Sequence, residues 1–121
     1  MVSNAGVVAT DVTAVGTARG EVPGACGYGY DKGIFGYGYT GSDTAVTNLV
    51  SNVGVVATDT TGVGTARRDL AATQYGGDKG IFGYGSGYVS MTNLVSNAGV
   101  VATDVTGVGT GRDRLAACSF N

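Results

Sequence analysis

The sequence contains no histidine and no tryptophan, and its only glutamate is Glu21. Without histidine, the Ser-His-Asp and Cys-His arrangements of hydrolases are excluded, as are metal sites that rely on histidine ligands. Lys32 and Lys79 are the only lysines and the net charge is −2, so the chain has no basic patch for nucleic acid or for an anionic membrane. The sequence therefore predicts a protein that is neither an enzyme nor a nucleic-acid binder, with no catalytic residue, cofactor or metal.

Long apolar runs are also absent. No stretch approaches the roughly 18 apolar residues that read as a membrane-spanning helix, and the chain does not open on a charged segment followed by an apolar one, as a secretion signal would. We expect a soluble protein with no membrane partner. The sequence leaves its compartment open.

What the chain has instead is repetition. The stretch Thr47–Asp59 returns almost letter for letter as Thr92–Asp104, and its end also opens the chain as Ser3–Asp11. Asp31–Gly38 recurs as Asp78–Gly85. The chain is therefore a tandem array with a period of about 45 to 48 residues. Its 23 glycines lack the Gly-X-Y period of collagen and favour turns between strands.

The second repeat predicts four short antiparallel strands, over residues 67–75, 80–85, 88–95 and 100–103. Gly76-Gly77-Asp78-Lys79 predicts a tight hairpin turn between the first two, because paired glycines supply the positive φ that such turns need. No window keeps the 3.6-residue apolar period of a helix. Four strands in a unit of about 45 residues are typical of a β-propeller blade, so the predicted fold class is all-β.

The unit resembles a kelch-type propeller blade in its period and strand order. Arg67 leads the first strand, Leu70-Ala71-Ala72 follow in it, and Ile81-Phe82-Gly83-Tyr84-Gly85 corresponds to the glycine-rich end of the second strand. The double glycine of the family is split here by Tyr84, and by Tyr37 in the first repeat. The family's tryptophan is missing, with residues 55–58 in its neighbourhood. The resemblance implies a kelch-like propeller and leaves the function open, because propellers serve binding, catalysis and scaffolding alike.

In propeller terms the single array divides into four units. Residues 1–18 supply a terminal outer strand (Gly6 to Thr10) and a loop, residues 19–66 and 67–111 are full blades, and residues 112–121 supply a terminal inner strand. Two blades fall short of the roughly four that the smallest rings contain. Either the chain belongs to a longer array, or the ring is completed by oligomerisation. We expect a homo-oligomer, with a dimer supplying four blades and a trimer six.

Two motifs point to ligands but have a simpler explanation. The stretch from Gly36 to Gly41 matches G-x-G-x-x-G, yet dinucleotide binding requires that a helix follow it, and the sequence predicts a turn and a strand. Asp11, Asp59 and Asp104 recur before a Thr-Gly-rich loop, but one carboxylate per loop is too few for calcium. We expect these aspartates to cap their own turns by accepting local N–H groups.

Two sets of side chains are candidates for ligand contact. The first is the repeating set Arg19, Arg67 and Arg112, which either forms a ring of guanidinium groups for an anion or pairs with the repeating aspartates and loop carbonyls. The second consists of tyrosines that follow the repeat less regularly, because Tyr37 and Tyr84 are in register and are expected to pack between blades. The tyrosines of the second set that we single out are Tyr28, Tyr39 and Tyr88.

Cys26 and Cys118 occupy one position of the repeat, where Thr73 lies in the middle unit. Equivalent positions two units apart lie beyond the Cα separation of a disulfide, so we expect two free, buried thiols.

Near-identical repeats leave few residues specialised for a site. The sequence therefore favours a non-enzymatic structural or scaffolding protein whose partner is a further copy of itself. The alternative is a binding module for carbohydrate or protein.

Overall fold

The computed structural model describes residues 1–21 and 23–120 of the chain. Within them the protein is all-β, as predicted, and no helix is formed. Two three-stranded antiparallel sheets follow one another along the chain, in the orders β1-β2-β3 and β4-β5-β6. The strands are β1 Gly24–Tyr28, β2 Lys32–Gly36, β3 Thr47–Val50, β4 Ala71–Tyr75, β5 Lys79–Gly83 and β6 Thr92–Val95. No helix of the described residues is long and apolar enough to cross a membrane.

The two sheets have the same register, which confirms the alignment of the repeats. Cys26 pairs with Ile34 in the first sheet, and Thr73 pairs with Ile81 in the second. Both cysteines are free, as predicted. The expected burial is wrong for Cys118, which is exposed, whereas Cys26 is partly buried. That burial raises the pKa of the Cys26 thiol to about 11.

The predicted hairpin turn between the first two strands of the second repeat is confirmed. Gly76 and Gly77 have φ values of 59° and 80°, between the paired residues Tyr75 and Lys79. In the first repeat Tyr30 takes the place of Gly77 and is held at a φ of 70°. A left-handed backbone disfavours a residue with a Cβ atom, so this turn is strained in the first repeat only.

The fourth strand of each repeat is not formed as predicted. Isolated bridges join the outer segment to β3 at Val50–Val56 and Thr47–Thr60. Between these bridges the outer segment has one residue more than β3, which is a β-bulge that interrupts the ladder. The second repeat has the same bulge, so the fourth strand is reduced to bridges in both.

The two terminal strands also differ from the prediction. Near the N-terminus the backbone forms one bridge, Val2–Val8, which closes the same serine-led turn as in the full repeats. Residues 112–120 form no strand, although they have the β4 pattern of small residues and one aromatic. In β4 each residue pairs with β5, and none of the described residues pairs with the backbone of residues 115–120 in this way.

The core lies between the two sheets and is directional. Neighbouring residues of a strand point to opposite faces, so each sheet has one face to which its isoleucine points, here called the Ile face, and one to which its phenylalanine points, the Phe face. Ile34 and Phe82 are both fully buried in one apolar cluster. The Ile face of the first repeat therefore packs on the Phe face of the second, and we call this contact the seam.

Two glycines and an aromatic pair bring the faces of the seam together. A Cβ atom at Gly24 would lie 2.9 Å from the Phe82 ring, and one at Gly80 would lie 2.6 Å from the Cys26 sulfur. The rings of Tyr37 and Phe82 are 5.1 Å apart between centroids, at a tilt of 58°. Tyr37 therefore packs between the repeats, as predicted from its register.

Candidate functional site

A cluster of four polar side chains recurs in both repeats and is centred on a buried arginine. In the second repeat Arg67 is 1% exposed. Its guanidinium donates to the carbonyl oxygens of Tyr84 and Thr65, at 2.7 and 3.0 Å, and to Oδ1 of Asn93 at 2.7 Å. The planar group is thereby fixed by three partners that differ in direction, which suits the fork of guanidinium donors.

The asparagine of this cluster links the arginine to the outer segment. Nδ2 of Asn93 donates to the carbonyl of Ala102 at 3.0 Å and to Oδ1 of Asp104 at 2.9 Å. The residue is fully buried. The bulge leaves the outer segment with few backbone hydrogen bonds to β6. The side-chain amide of Asn93 takes their place by bonding to the outer segment.

The aspartate joins the end of its repeat to the loop that leads into that repeat. Both oxygens of Asp104 accept the backbone N–H of Thr65, at 3.1 and 3.0 Å, and Oδ2 also accepts its hydroxyl at 2.7 Å. Partial burial opposes the charge, but the bonds from Thr65 and Asn93 outweigh it and lower the pKa of Asp104. The expectation that the recurring aspartates cap local turns is wrong for Asp104 and for Asp59, because their threonine partners lie 39 and 42 residues before them.

The first repeat contains the same cluster, built from Thr17, Arg19, Asn48 and Asp59. Asp59 accepts the N–H and hydroxyl of Thr17, at 3.0 and 2.6 Å, and Nδ2 of Asn48 at 2.9 Å. The Thr17 hydroxyl bond is the main cause of the lowered pKa of Asp59. Arg19 donates to Oδ1 of Asn48 through Nη2. Its Nη1 is buried without a hydrogen-bond partner among the described residues and lies 3.9 Å from Asp59.

A left-handed glycine makes room for each of these carboxylates. Gly64 has a φ of 76° and Gly16 a φ of 78°. A Cβ atom at either position would overlap the neighbouring aspartate oxygen. The glycine before the threonine is thus required twice, for its backbone conformation and for its lack of a side chain.

Arg19 and Arg67 therefore adopt the second of the two roles considered for the repeating arginines. Arg67 donates to two loop carbonyls and to Asn93, lies 4.0 Å from Asp104 and stacks 4.6 Å from the centroid of the Tyr37 ring across the seam. Arg19 donates to Asn48 and lies 3.9 Å from Asp59. Arg112 is exposed and lies 4.8 Å from the Tyr84 ring centroid.

The three candidate tyrosines do not converge on one surface. Tyr28 is buried, ends β1 beside the hairpin turn and is in register with Tyr75. Tyr39 and Tyr88 follow β2 and β5 and so lie at the other end of the sheets. Tyr39 is partly buried, and Tyr88 is 73% exposed.

A second polar network crosses the seam and is centred on Arg68. Its Nε lies 2.8 Å from Glu21 and its Nη1 2.8 Å from Asp43, while the guanidinium stacks 4.7 Å from the centroid of the Tyr39 ring. Tyr39 therefore packs against an arginine of the next repeat. Sequence reasoning missed this network because Arg68 does not recur in register, and no signal in one repeat identifies partners in another.

Sequence reasoning also missed the two buried asparagines. Asn48 and Asn93 recur in register within the motif Thr-Asn-Leu-Val. A polar residue at a fixed place inside an apolar strand is the signal that could have identified them, because buried amides require partners.

Two clefts flank the sheets on their outer faces. The cleft on the Phe face of the first repeat has a volume of about 410 Å³ and is lined by apolar residues around Phe35. The cleft on the Ile face of the second repeat has a volume of about 290 Å³ and lies around Ile81 and Tyr84. No group of three or more His, Cys, Asp or Glu residues that could hold a metal occurs in the described part of the chain.

The polar clusters thus bond within the protein, and two apolar clefts remain open on the outer faces of the sheets. No protein-family model matches the chain, and no curated protein matches it.

Proposed function

We propose that the chain is a non-enzymatic structural protein whose repeats stack on further copies of the chain and complete a kelch-like β-propeller. The observation that carries this proposal is the directional seam. A seam joins an Ile face to a Phe face, and the protein presents one of each outward, Phe35 on the first repeat and Ile81 on the second. The two outer faces are therefore complementary to each other, which favours head-to-tail association.

The burial of equivalent residues supports this proposal. Phe82 is fully buried in the seam beneath Tyr37, whereas Phe35, at the same position of the first repeat, is only partly buried. Its cleft is lined by Val12, Val15 and other apolar residues. Covering such a surface releases ordered water and favours association.

The use of the polar residues supports a structural role. The recurring arginine, asparagine, aspartate and threonine side chains of both full repeats bond within the protein. Side chains that bond to one another within the protein are not free to recognise a ligand, so the recurrence of these four residues is accounted for by the packing of each repeat.

The test is the mass of the protein in solution. We expect light scattering and native mass spectrometry at micromolar concentration to give a closed dimer or trimer. Phe35→Asp should shift the protein to the monomer, because it places a charge on the outer Phe face. Ser42→Asp is the matched control, since Ser42 lies in the exposed loop between β2 and β3. A folded wild-type monomer at these concentrations would contradict the proposal.

A further inference from the structure

Residues 112–117 lie on the Ile face of the second repeat as residues 67–72 lie on that of the first. Gly85 donates its N–H to the carbonyl of Arg112 at 3.1 Å, and the guanidinium of Arg112 lies 4.8 Å from the centroid of the Tyr84 ring. Arg67 makes the same two contacts in the seam, at 3.0 and 4.6 Å. This segment therefore contributes the first part of another seam.

The cleft beneath this segment corresponds to the place that Phe82 occupies in the seam. Its volume is about 290 Å³, and a cavity of about 150 Å³ already binds benzene. The residues that surround Phe82 in the seam include Ile34, Tyr37, Leu70 and Ala72. The cleft is lined by their equivalents, Ile81, Tyr84, Leu115 and Ala117.

The backbone of residues 115–120, beside the cleft, is unpaired within the described part of the chain and can pair with a further strand. In the seam the phenylalanine arrives on β5, with Phe82 paired to Ala72 of β4. Residues 116–120 correspond to β4 and to β1, with two small residues, a cysteine in place of Thr73, a further residue and an aromatic. They lie exposed, and an unpaired edge of this kind invites pairing with another chain.

We propose that residues 115–120 exchange with β1 of a second copy and pair with its β2, so that Phe35 of that copy enters the cleft. This inference rests on the proposed function and specifies the joint between copies. The exchanged segments have the same pattern, Gly-Ala-Cys-Gly-Tyr in β1 and Ala-Ala-Cys-Ser-Phe in residues 116–120, so the pairing with β2 is preserved. The exchange resembles domain swapping, in which an element of one protomer takes the place of its equivalent in another.

The exchange also provides new partners for the polar groups of the joint. Thr110 and Arg112 correspond to Thr17 and Arg19, which hold Asn48 and Asp59 in the first repeat. After the exchange, Thr110 and Arg112 of one copy lie where they can hold Asn48 and Asp59 of the other. The cluster is thus retained at the joint.

A disulfide trap tests the register. Tyr28 pairs with Lys32 in the first sheet, and Phe120 is the equivalent of Tyr28, so the exchange places Phe120 of one copy opposite Lys32 of another. The variant carrying Lys32→Cys and Phe120→Cys, with both native cysteines changed to serine, should form intermolecular disulfides under oxidised glutathione. Directly opposed residues in antiparallel strands have the Cα separation that a disulfide requires.

The matched control is Lys79→Cys with Phe120→Cys in the same background. Lys79 pairs with Tyr75 of β4, and the exchange displaces β1 but leaves β4 in place, so we expect no disulfide. Oligomers in which mass spectrometry finds no bond between positions 32 and 120 would overturn the exchange and leave the proposed function standing. If position 120 forms disulfides equally well with position 32 and with position 79, the exchange is also overturned, because the pairing of residues 115–120 would not be specific for β2.

A peptide distinguishes failure of the exchange from failure of assembly. A labelled peptide with the sequence of residues 31–38 should bind the full chain, and changing its phenylalanine to alanine should weaken binding about ten- to a hundredfold. If the chain is monomeric but still binds the peptide in this way, assembly is refuted, and the cleft is still supported as a site that accepts a strand. A chain that binds neither peptide would overturn the inference.

Discussion

Replacing Asn93 by alanine should be among the most destabilising single changes at a polar residue. Asn93 is fully buried and makes three hydrogen bonds, to Arg67, Ala102 and Asp104. A neutral hydrogen bond contributes about 1 kcal/mol and one to a charged group at least about 1.5 kcal/mol, which sums to about 4 kcal/mol. Asp104 is 31% exposed, so water replaces part of one bond. We therefore expect a loss of about 3 kcal/mol.

The free energy of unfolding is measured by urea titration followed by circular dichroism, with Asn97→Ala as the control. Asn97 is exposed and donates one hydrogen bond, to Asp78 at 3.1 Å, so its loss should cost no more than about 0.5 kcal/mol. A third variant, Asn93→Asp, places a carboxylate against Asp104 and should be destabilised at neutral pH. If Asn93→Ala and Asn97→Ala unfold at the same urea concentration with equal slopes, the hydrogen bonds of Asn93 do not stabilise the fold.

Three further outcomes follow from the geometry of the repeats. Gly80→Ala should lower the free energy of unfolding by about 1 to 3 kcal/mol, because its Cβ would overlap the Cys26 sulfur. Gly33→Ala, at the equivalent position of the first repeat, should leave the free energy of unfolding unchanged. Equal urea midpoints for the two variants would refute this. Tyr30→Gly should stabilise the protein by about 0.5 to 1 kcal/mol, and Gly77→Tyr should destabilise it by about 1 kcal/mol, because both positions have a left-handed backbone. Thermal unfolding measures both changes. Changes of the opposite sign would contradict the backbone strain at Tyr30. The aspartates held by threonine have lowered pKa values, so their stabilisation is present above the unfolded pKa near 3.9 and is lost as the pH falls through the folded pKa. We expect a constant melting temperature from neutral pH to about pH 5 and a fall below about pH 4, and a melting temperature unchanged at about pH 3 would contradict this.

The sequence predicted those elements that depend on local chemistry. The hairpin at Gly76 and Gly77 is an example, because a positive φ at consecutive residues is a property of glycine itself. The starts of β4 and β6 were predicted four residues too early, whereas β5 begins one residue before its predicted start. The first strand of the second repeat begins at Ala71 because Asp69 has a left-handed backbone conformation, with a φ of 54°. An aspartate in the sequence does not by itself indicate this conformation.

The bulge and the contacts between repeats could not be predicted. A bulge depends on the difference in residue count between two paired segments, and the sequence alone does not show which residues pair. The same holds for Asp104, whose partner Thr65 lies 39 residues away along the chain. Recurrence identified the arginines and aspartates as important, but only the folded geometry shows that they bind the same asparagine.

The bond from each aspartate to its distant threonine has a consequence for how the array changes in length. Thr17 and Asp59 are 42 residues apart, and Thr65 and Asp104 are 39 apart, yet each pair is in contact. A repeat therefore begins and ends at one corner of its sheet, and its two connections leave from neighbouring points. A whole unit can be inserted or deleted there without changing the path of the chain through the units on either side. Duplication of one whole repeat would therefore reproduce this bond in the new unit.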